Sequence, residues 1–129
     1  MSSLQGLTYD TGALIAGERS DRLLWALHRA ALARGLVPVV PGGVLAEAWR
    51  GGPQPQLSRL LKGCVVEPLG GEQARATGAL SARAGTAQIV DASVVECALR
   101  LGHAVVSSDA RDLEALAEAA RRRLVIHVV

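Results

Sequence analysis

Four acidic side chains stand where an α/β chain can use them for chemistry: Asp10, Glu47, Asp91 and Asp109. Asp10 directly ends the strand-like run 7–9, and Asp109 follows the strand-like run 104–107. Carboxylates that are crowded together repel one another unless a hard divalent cation neutralises them. If the chain brings these acids together, a metal-dependent site is the expected chemistry.

The positions of the other two acids favour such a meeting. Asp91 opens the apolar helical stretch 91–101, and Glu47 lies inside the apolar helical segment 44–50. In a doubly wound sheet, the strands before Asp10 and Asp109 would be neighbours where the strand order reverses, which is where such folds bind ligands. Asp91 and Glu47 would then face the same crevice from their helices.

Strand and helix signals alternate along almost the whole chain. Apolar runs predict five strands, at 7–9, 36–40, 64–67, 104–107 and 124–129. Helical periodicity and helix-ending glycines predict helices at 13–16, 19–34, 44–50, 56–62, 72–83, 91–101 and 109–120. This alternation predicts an α/β fold with three layers, in which helices cover both faces of a parallel central sheet of about five strands.

Each acid also has a purely structural interpretation. Asp10 can form an Asx-turn into the residues that follow it, and Asp91 can cap its own helix. Asp109 with Asp112 resembles a helix cap followed by an acid in the first turn, where the helix dipole favours negative charge. Glu47 lies at the border of its apolar helix face, where exposure to solvent is ordinary. The four placements together favour one shared cause.

Length and composition narrow the class of protein. The 129 residues suit a single domain, 1–129, that buries a core without disulfides. No apolar run approaches the roughly 18 residues of a membrane span, and the first residues do not resemble a signal peptide. We therefore expect a cytoplasmic protein that does not enter a membrane. The net charge of +2, carried almost wholly by arginine, allows nucleic acid as a partner without requiring it.

The cysteines and histidines are not spaced as a zinc site. Cys64 and Cys97 lie in apolar surroundings, which predicts reduced core residues. His28, His103 and His127 are expected at the surface or at a sheet edge. An oxygen-only site suits Mg²⁺ or Mn²⁺ rather than zinc.

Four short segments in order resemble the acidic motifs of PIN-domain ribonucleases. They are YDTGALIA at 9–16, LAEAWR at 45–50, VDASVV at 90–95 and VSSDARDL at 106–113. Their order, their spacing and the chain length are similar to those of the toxins of VapBC-type toxin–antitoxin pairs. The resemblance covers nearly the whole chain.

The resemblance implies a PIN-like fold and a metal-dependent endoribonuclease that hydrolyses RNA phosphodiester bonds. It assigns catalysis and metal binding to Asp10, Glu47, Asp91 and Asp109, with Asp112 as a fifth, outer acid. Ser107 would contact the site through its hydroxyl. The resemblance further implies an antitoxin protein as partner and a homodimer.

Two other functions compete with this interpretation. A PIN-like domain that has lost activity would serve only as a binding or scaffold domain, although the retention of all four acids argues against it. A phosphoacceptor receiver domain would need a lysine late in the chain, and the single lysine, Lys62, is too early.

Overall fold

Five short parallel strands form one sheet in the computed structural model, which describes residues 5–129. The strands are β1 (Leu7–Tyr9), β2 (Val39–Pro41), β3 (Val65–Glu67), β4 (Ala104–Ser107) and β5 (Ile126–Val128). The helices are α1 (Thr11–Glu18), α2 (Arg22–Ala33), α3 (Gly42–Ala48), α4 (Pro55–Lys62), α5 (Gly71–Ala84), α6 (Ile89–Leu101) and α7 (Arg111–Ala119). The expected alternation of strands and helices is confirmed.

The strand order is β3-β2-β1-β4-β5, so the chain reverses direction across the sheet between β1 and β4. Thr8 of β1 pairs with Val105 of β4 on one side and with Val39 of β2 on the other. All four ladders are parallel, and therefore the carboxyl ends of all strands share one edge. The predicted three-layer α/β fold, with β1 and β4 as neighbours, is confirmed.

The core lies on both faces of the central strands, because every residue of β1 and β4 is buried. Contacts group α1 with α2, α3 and α4, and group α5 with α6 and α7. This grouping is what right-handed crossovers produce when the direction of winding reverses between β1 and β4. The edge strand β3 is less covered, and Val65 is 52% exposed. Within residues 5–129, no helix is both long and apolar enough to cross a bilayer.

Several predicted boundaries shift for local reasons. The strand β2 begins at Val39, although the carbonyl of Pro38 already accepts the N–H of Val65 at 2.9 Å. The last strand is shorter than expected and begins at Ile126. The first helix is longer than 13–16, because the side chain of Asp10 caps it from Thr11 onward.

The expectation that His28 lies at the surface is wrong. Its ring is buried, and Nδ1 shares a hydrogen bond of 2.8 Å with the hydroxyl of Tyr9. His127 is exposed on the edge strand β5, as expected, whereas His103 is half-buried and bonds Thr8. Cys64 and Cys97 are both free, as predicted, with Cys97 fully buried.

Candidate metal site at the carboxyl edge of the sheet

Asp10 is fixed by the backbone at the point where β1 ends and α1 begins. Its N–H donates to the carbonyl of Val106 at 3.2 Å, and its Oδ1 accepts the N–H of Ala13 at 2.8 Å. The residue is only 7% exposed. Burial raises the pKa of its carboxyl group, the nearby Ser107 hydroxyl and the Ala13 N–H lower it, and the charge of Asp91 raises it. Asp10 is thus a rigid carboxylate in a place that disfavours its charge.

Asp91 belongs to the first turn of α6 and is half-buried. The capping interpretation of Asp91 is wrong, because the helix begins at Ile89 and Gln88 occupies the N-cap without a side-chain bond. Burial raises the pKa of Asp91, and the charges of Asp112 and Glu47 raise it further. Its carboxylate therefore lies within electrostatic reach of acids from two other helices.

Glu47 is exposed on α3, as the border position of its helix face predicts. Its Oε1 accepts a hydrogen bond of 2.6 Å from the hydroxyl of Thr11, the first residue of α1. This bond joins residues 36 positions apart in sequence and holds Glu47 beside the turn that carries Asp10. Sequence reasoning gave no role to Thr11, although its position directly after Asp10 was a signal.

Asp109 and Asp112 behave differently from each other. Asp109 is exposed, and Arg111 donates to it from Nε at 3.2 Å and from NH2 at 2.8 Å. This partner lowers the pKa of Asp109 to about 2. Ala110 occupies the N-cap position of α7 without a side-chain bond, but Asp109 Oδ1 accepts the N–H of Arg111, the first residue of the helix, at 3.1 Å. Asp112 lies in the first turn of α7, as expected, and acts on the charge of Asp91.

Ser107 organises the loop after β4. Its hydroxyl donates to the carbonyl of Asp109 at 2.9 Å and accepts the N–H of the same residue at 3.0 Å. Ser107 is buried and close enough to Asp10 to lower the pKa of that carboxyl group. The contact of this hydroxyl with a metal site, which the resemblance implies, stays a prediction.

The charges of four carboxylates at this edge of the sheet affect one another: Asp91 raises the pKa of Asp10, and Asp112 and Glu47 raise the pKa of Asp91. We call Asp10, Glu47, Asp91 and Asp112 the coupled acids. Asp109, which was expected among the main acids, is instead neutralised by Arg111, a residue that sequence reasoning missed. Asp112 and Glu47 raise the pKa of Asp91, whereas Asp109 is not among the groups that shift it. That all four predicted acids hold one cation stays a prediction.

The donor set fits a hard divalent cation in chemistry. All the coupled acids offer oxygen ligands, and a cation would relieve the repulsion that raises the pKa values of Asp10 and Asp91. Among residues 5–129, no three such side chains already stand in a metal-binding arrangement. Because Glu47 and Asp112 are exposed, their side chains can turn toward Asp91 without repacking the core.

Comparisons with known proteins agree with this fold. Neither a family model nor a curated protein matches the sequence. Among solved structures, the chain is similar to VapBC2 from Rickettsia felis, which was crystallised with a DNA fragment from its promoter. That match has a TM-score of 0.71 and 12% identity, and it covers 95% of this chain and 98% of the other. The chain is also similar to PAE2754 from Pyrobaculum aerophilum, with a TM-score of 0.63, 16% identity and coverage of 95% and 83%.

The chain therefore has a three-layer α/β fold that is PIN-like and similar to the fold of these two structures. At these identities the likeness establishes the architecture, and the chemistry depends on the acids at the carboxyl edge of the sheet.

Proposed function

We propose that this protein is a metal-dependent endoribonuclease that hydrolyses RNA phosphodiester bonds with Mg²⁺ or Mn²⁺. The observation that carries the proposal is the place of Asp10 at the switch point of a PIN-like fold, where Asp91 raises its pKa and Asp112 and Glu47 raise that of Asp91. Open α/β sheets bind ligands at the switch point. Carboxylates that repel one another there favour the binding of a divalent cation, because the cation neutralises their charge.

The residues that would hold the cation are Asp10 and Asp91 together with Glu47, Asp109 and Asp112. Asp10 would supply a ligand of fixed direction, because its cap bond and burial limit its rotation. Glu47 would act from the rim, where the Thr11 hydroxyl orients it. When bound, the cation lowers the pKa of a coordinated water and neutralises charge on the reacting phosphate.

We further propose that the protein is the toxin of a toxin–antitoxin pair. The similarity to VapBC2 over almost the full length of both chains supports an antitoxin partner. In this role, the protein would work in the cytoplasm as one domain, cut RNA in the absence of the antitoxin, and form a homodimer. Co-expression with the product of a neighbouring gene, followed by size-exclusion chromatography, tests both associations.

One observation favours a second candidate, an inactive PIN-like binding or scaffold domain. Asp109 is paired with Arg111 on the surface instead of facing the coupled acids. If this ion pair persisted in solution, the acids would lack one ligand. This candidate predicts no metal binding and no RNA cleavage by the wild-type protein.

The test is cleavage of total cellular RNA by the purified protein in Mg²⁺, in Mn²⁺ and in EDTA. We expect cleavage with either cation, none in EDTA, and none by Asp10→Asn. Asparagine caps helices about as well as aspartate, so this variant keeps the start of α1. The matched control is Asp21→Asn, because Asp21 caps α2 by accepting the Leu24 N–H at 2.9 Å and is not one of the coupled acids. Equal cleavage by wild type and Asp10→Asn would contradict the proposal.

A further inference from the structure

The turn after β1 and the loop after β4 meet at a contact made possible by a glycine. A Cβ atom placed on Gly12 would lie 2.2 Å from the Ser108 Oγ, 3.0 Å from its Cβ and 3.1 Å from its backbone N. Rotation of the hydroxyl could remove the first overlap. The other two distances involve Cβ and the backbone, which can change only if the loop moves.

Backbone conformation does not explain the glycine. Gly12 is the second residue of α1 and is not among the glycines with positive φ, so alanine fits its backbone. Alanine would also favour the helix, since glycine is the poorer helix former. The close approach of Ser108 is therefore the feature of the structure that requires glycine here.

The two segments that meet at this contact carry acids of the candidate site. Asp10 lies two residues before Gly12, and Asp109 directly follows Ser108. Asp112, which acts on the charge of Asp91, is in the first turn of the helix that this loop begins. A shift of the loop would therefore move these acids relative to Asp10.

We propose that Gly12 and Ser108 are positioning residues, whose close packing sets the separation between Asp10 and the acids of the β4–α7 segment. This inference rests on the proposed function. It assigns a role in metal binding to Gly12, although glycine has no side chain that could itself be a ligand. Alanine at position 12 would push the loop outward and weaken the hold on a divalent cation.

The experiment is calorimetric titration of Mn²⁺ into the purified full chain, with RNA cleavage measured in parallel. We expect Gly12→Ala to lower Mn²⁺ affinity about 10-fold or more, the usual effect of disturbing groups that orient ligands, and to lower cleavage with it. Ser108→Gly in the same chain removes both side-chain atoms that the new methyl group at position 12 would meet. The approach to the backbone N of residue 108 remains, so Gly12→Ala/Ser108→Gly should recover a measurable part of the affinity, though not all of it.

The matched control is Gly78→Ala in α5, where a new Cβ meets nothing within 4 Å. This variant gains the same helix propensity and should bind Mn²⁺ as the wild type does. If Gly12→Ala fails to fold, a folded double variant that binds Mn²⁺ supports the contact, and an unfolded double variant overturns it.

The outcomes separate this inference from the proposed function. Wild-type protein that binds no Mn²⁺ and cuts no RNA refutes both. Wild-type protein that does both, beside a Gly12→Ala variant with unchanged Mn²⁺ affinity, overturns only the positioning role. The positioning role is also overturned if Gly12→Ala lowers the Mn²⁺ affinity and the double variant Gly12→Ala/Ser108→Gly restores none of it.

Discussion

Replacing Asp91 by asparagine should separate the stability of the metal-free protein from its response to metal. The change removes the charge that Asp112 and Glu47 repel and the cost of burying it. Like-charge repulsion between side chains on a helix surface costs about 0.2–0.5 kcal/mol per pair, whereas the attraction of an acid to a helix N-terminus contributes about 0.3–1 kcal/mol. The lost repulsion and the lost attraction to the helix N-terminus nearly cancel. The cost of burying the charge, which the variant no longer has, then decides the sign. In EDTA at neutral pH, the variant should equal or exceed the wild type in stability by up to about 1 kcal/mol.

The pH dependence of this difference follows from the raised pKa of Asp91. The usual value is 3.8, and below it the carboxyl group is protonated in both the folded and the unfolded protein. As pH rises through the raised pKa, the unfolded chain is already ionised, and the folded protein loses stability relative to it. The advantage of Asp91→Asn should therefore be absent near pH 3.5, grow above about pH 4 and be complete above the folded-state pKa.

Metal should reverse the order of stability. A ligand at 100 times its Kd stabilises the folded state by about 2.7 kcal/mol, which for a chain of this size raises Tm by roughly 10 °C. Wild type should show this increase on addition of Mn²⁺, and Asp91→Asn should show little or none. The effect of the cation is larger than any change expected in EDTA, so wild type becomes the more stable protein.

Thermal unfolding in EDTA and in a series of Mn²⁺ concentrations measures both effects. The matched control is Glu72→Gln, because Glu72 is an acid in the first turn of α5 that is not one of the coupled acids. It loses the same interaction with a helix N-terminus and should keep the full response to Mn²⁺. An equal increase of Tm in wild type and Asp91→Asn, or no increase in wild type, would refute the assignment of Asp91.

Three further substitutions test the surroundings of the site. Arg111→Gln frees Asp109 from an exposed ion pair, so Mn²⁺ affinity measured by calorimetry should rise by a few-fold at most; a fall would contradict this role. Thr11→Val removes the hydroxyl that orients Glu47 and should weaken Mn²⁺ binding roughly 3- to 10-fold, whereas unchanged affinity would leave the bond without function. Tyr9→Phe leaves the buried Nδ1 of His28 without its partner and should cost about 1–3 kcal/mol in urea unfolding, with Mn²⁺ affinity retained if the site is independent of this bond.

The features that the sequence made predictable depend on local patterns. Alternating apolar runs and helix-ending glycines located the strands and helices, and the parallel connections then fixed the edge at which Asp10 and Asp109 would appear. Helix boundaries were predicted wrongly where the first residue of the helix lies outside the acidic motif. The start of α6 lies at Ile89 rather than Asp91, although Gln88 offers no side-chain bond to its first turn. A capping argument could not anticipate a helix that begins without a cap.

The detailed geometry of the acids was not accessible from sequence because it depends on long-range pairs. Thr11 and Glu47 are 36 residues apart, and no local pattern pairs a helix-start hydroxyl with an exposed glutamate. The choice between Asp109 and Asp112 depends on which one Arg111 engages, and Arg111 lies within reach of both. In the structure Arg111 forms its ion pair with Asp109, and the charge of Asp112 raises the pKa of Asp91.

The acids of the proposed site divide into Asp10 and Asp91, which are at least half-buried, and three exposed acids that can move. If the site binds metal, this division means that it does not require a preformed cage. Asp10 is buried and its side chain caps α1, whereas Glu47, Asp109 and Asp112 are exposed. Ordering an exposed side chain costs at most about 2 kcal/mol, and an exposed ion pair such as Asp109 with Arg111 is weak because solvent screens it. A divalent cation would offset these costs by neutralising carboxylates that already repel one another beside Asp91. The affinity for metal should accordingly depend most on Asp10 and Asp91, whose positions are set by the fold, and less on any single exposed acid.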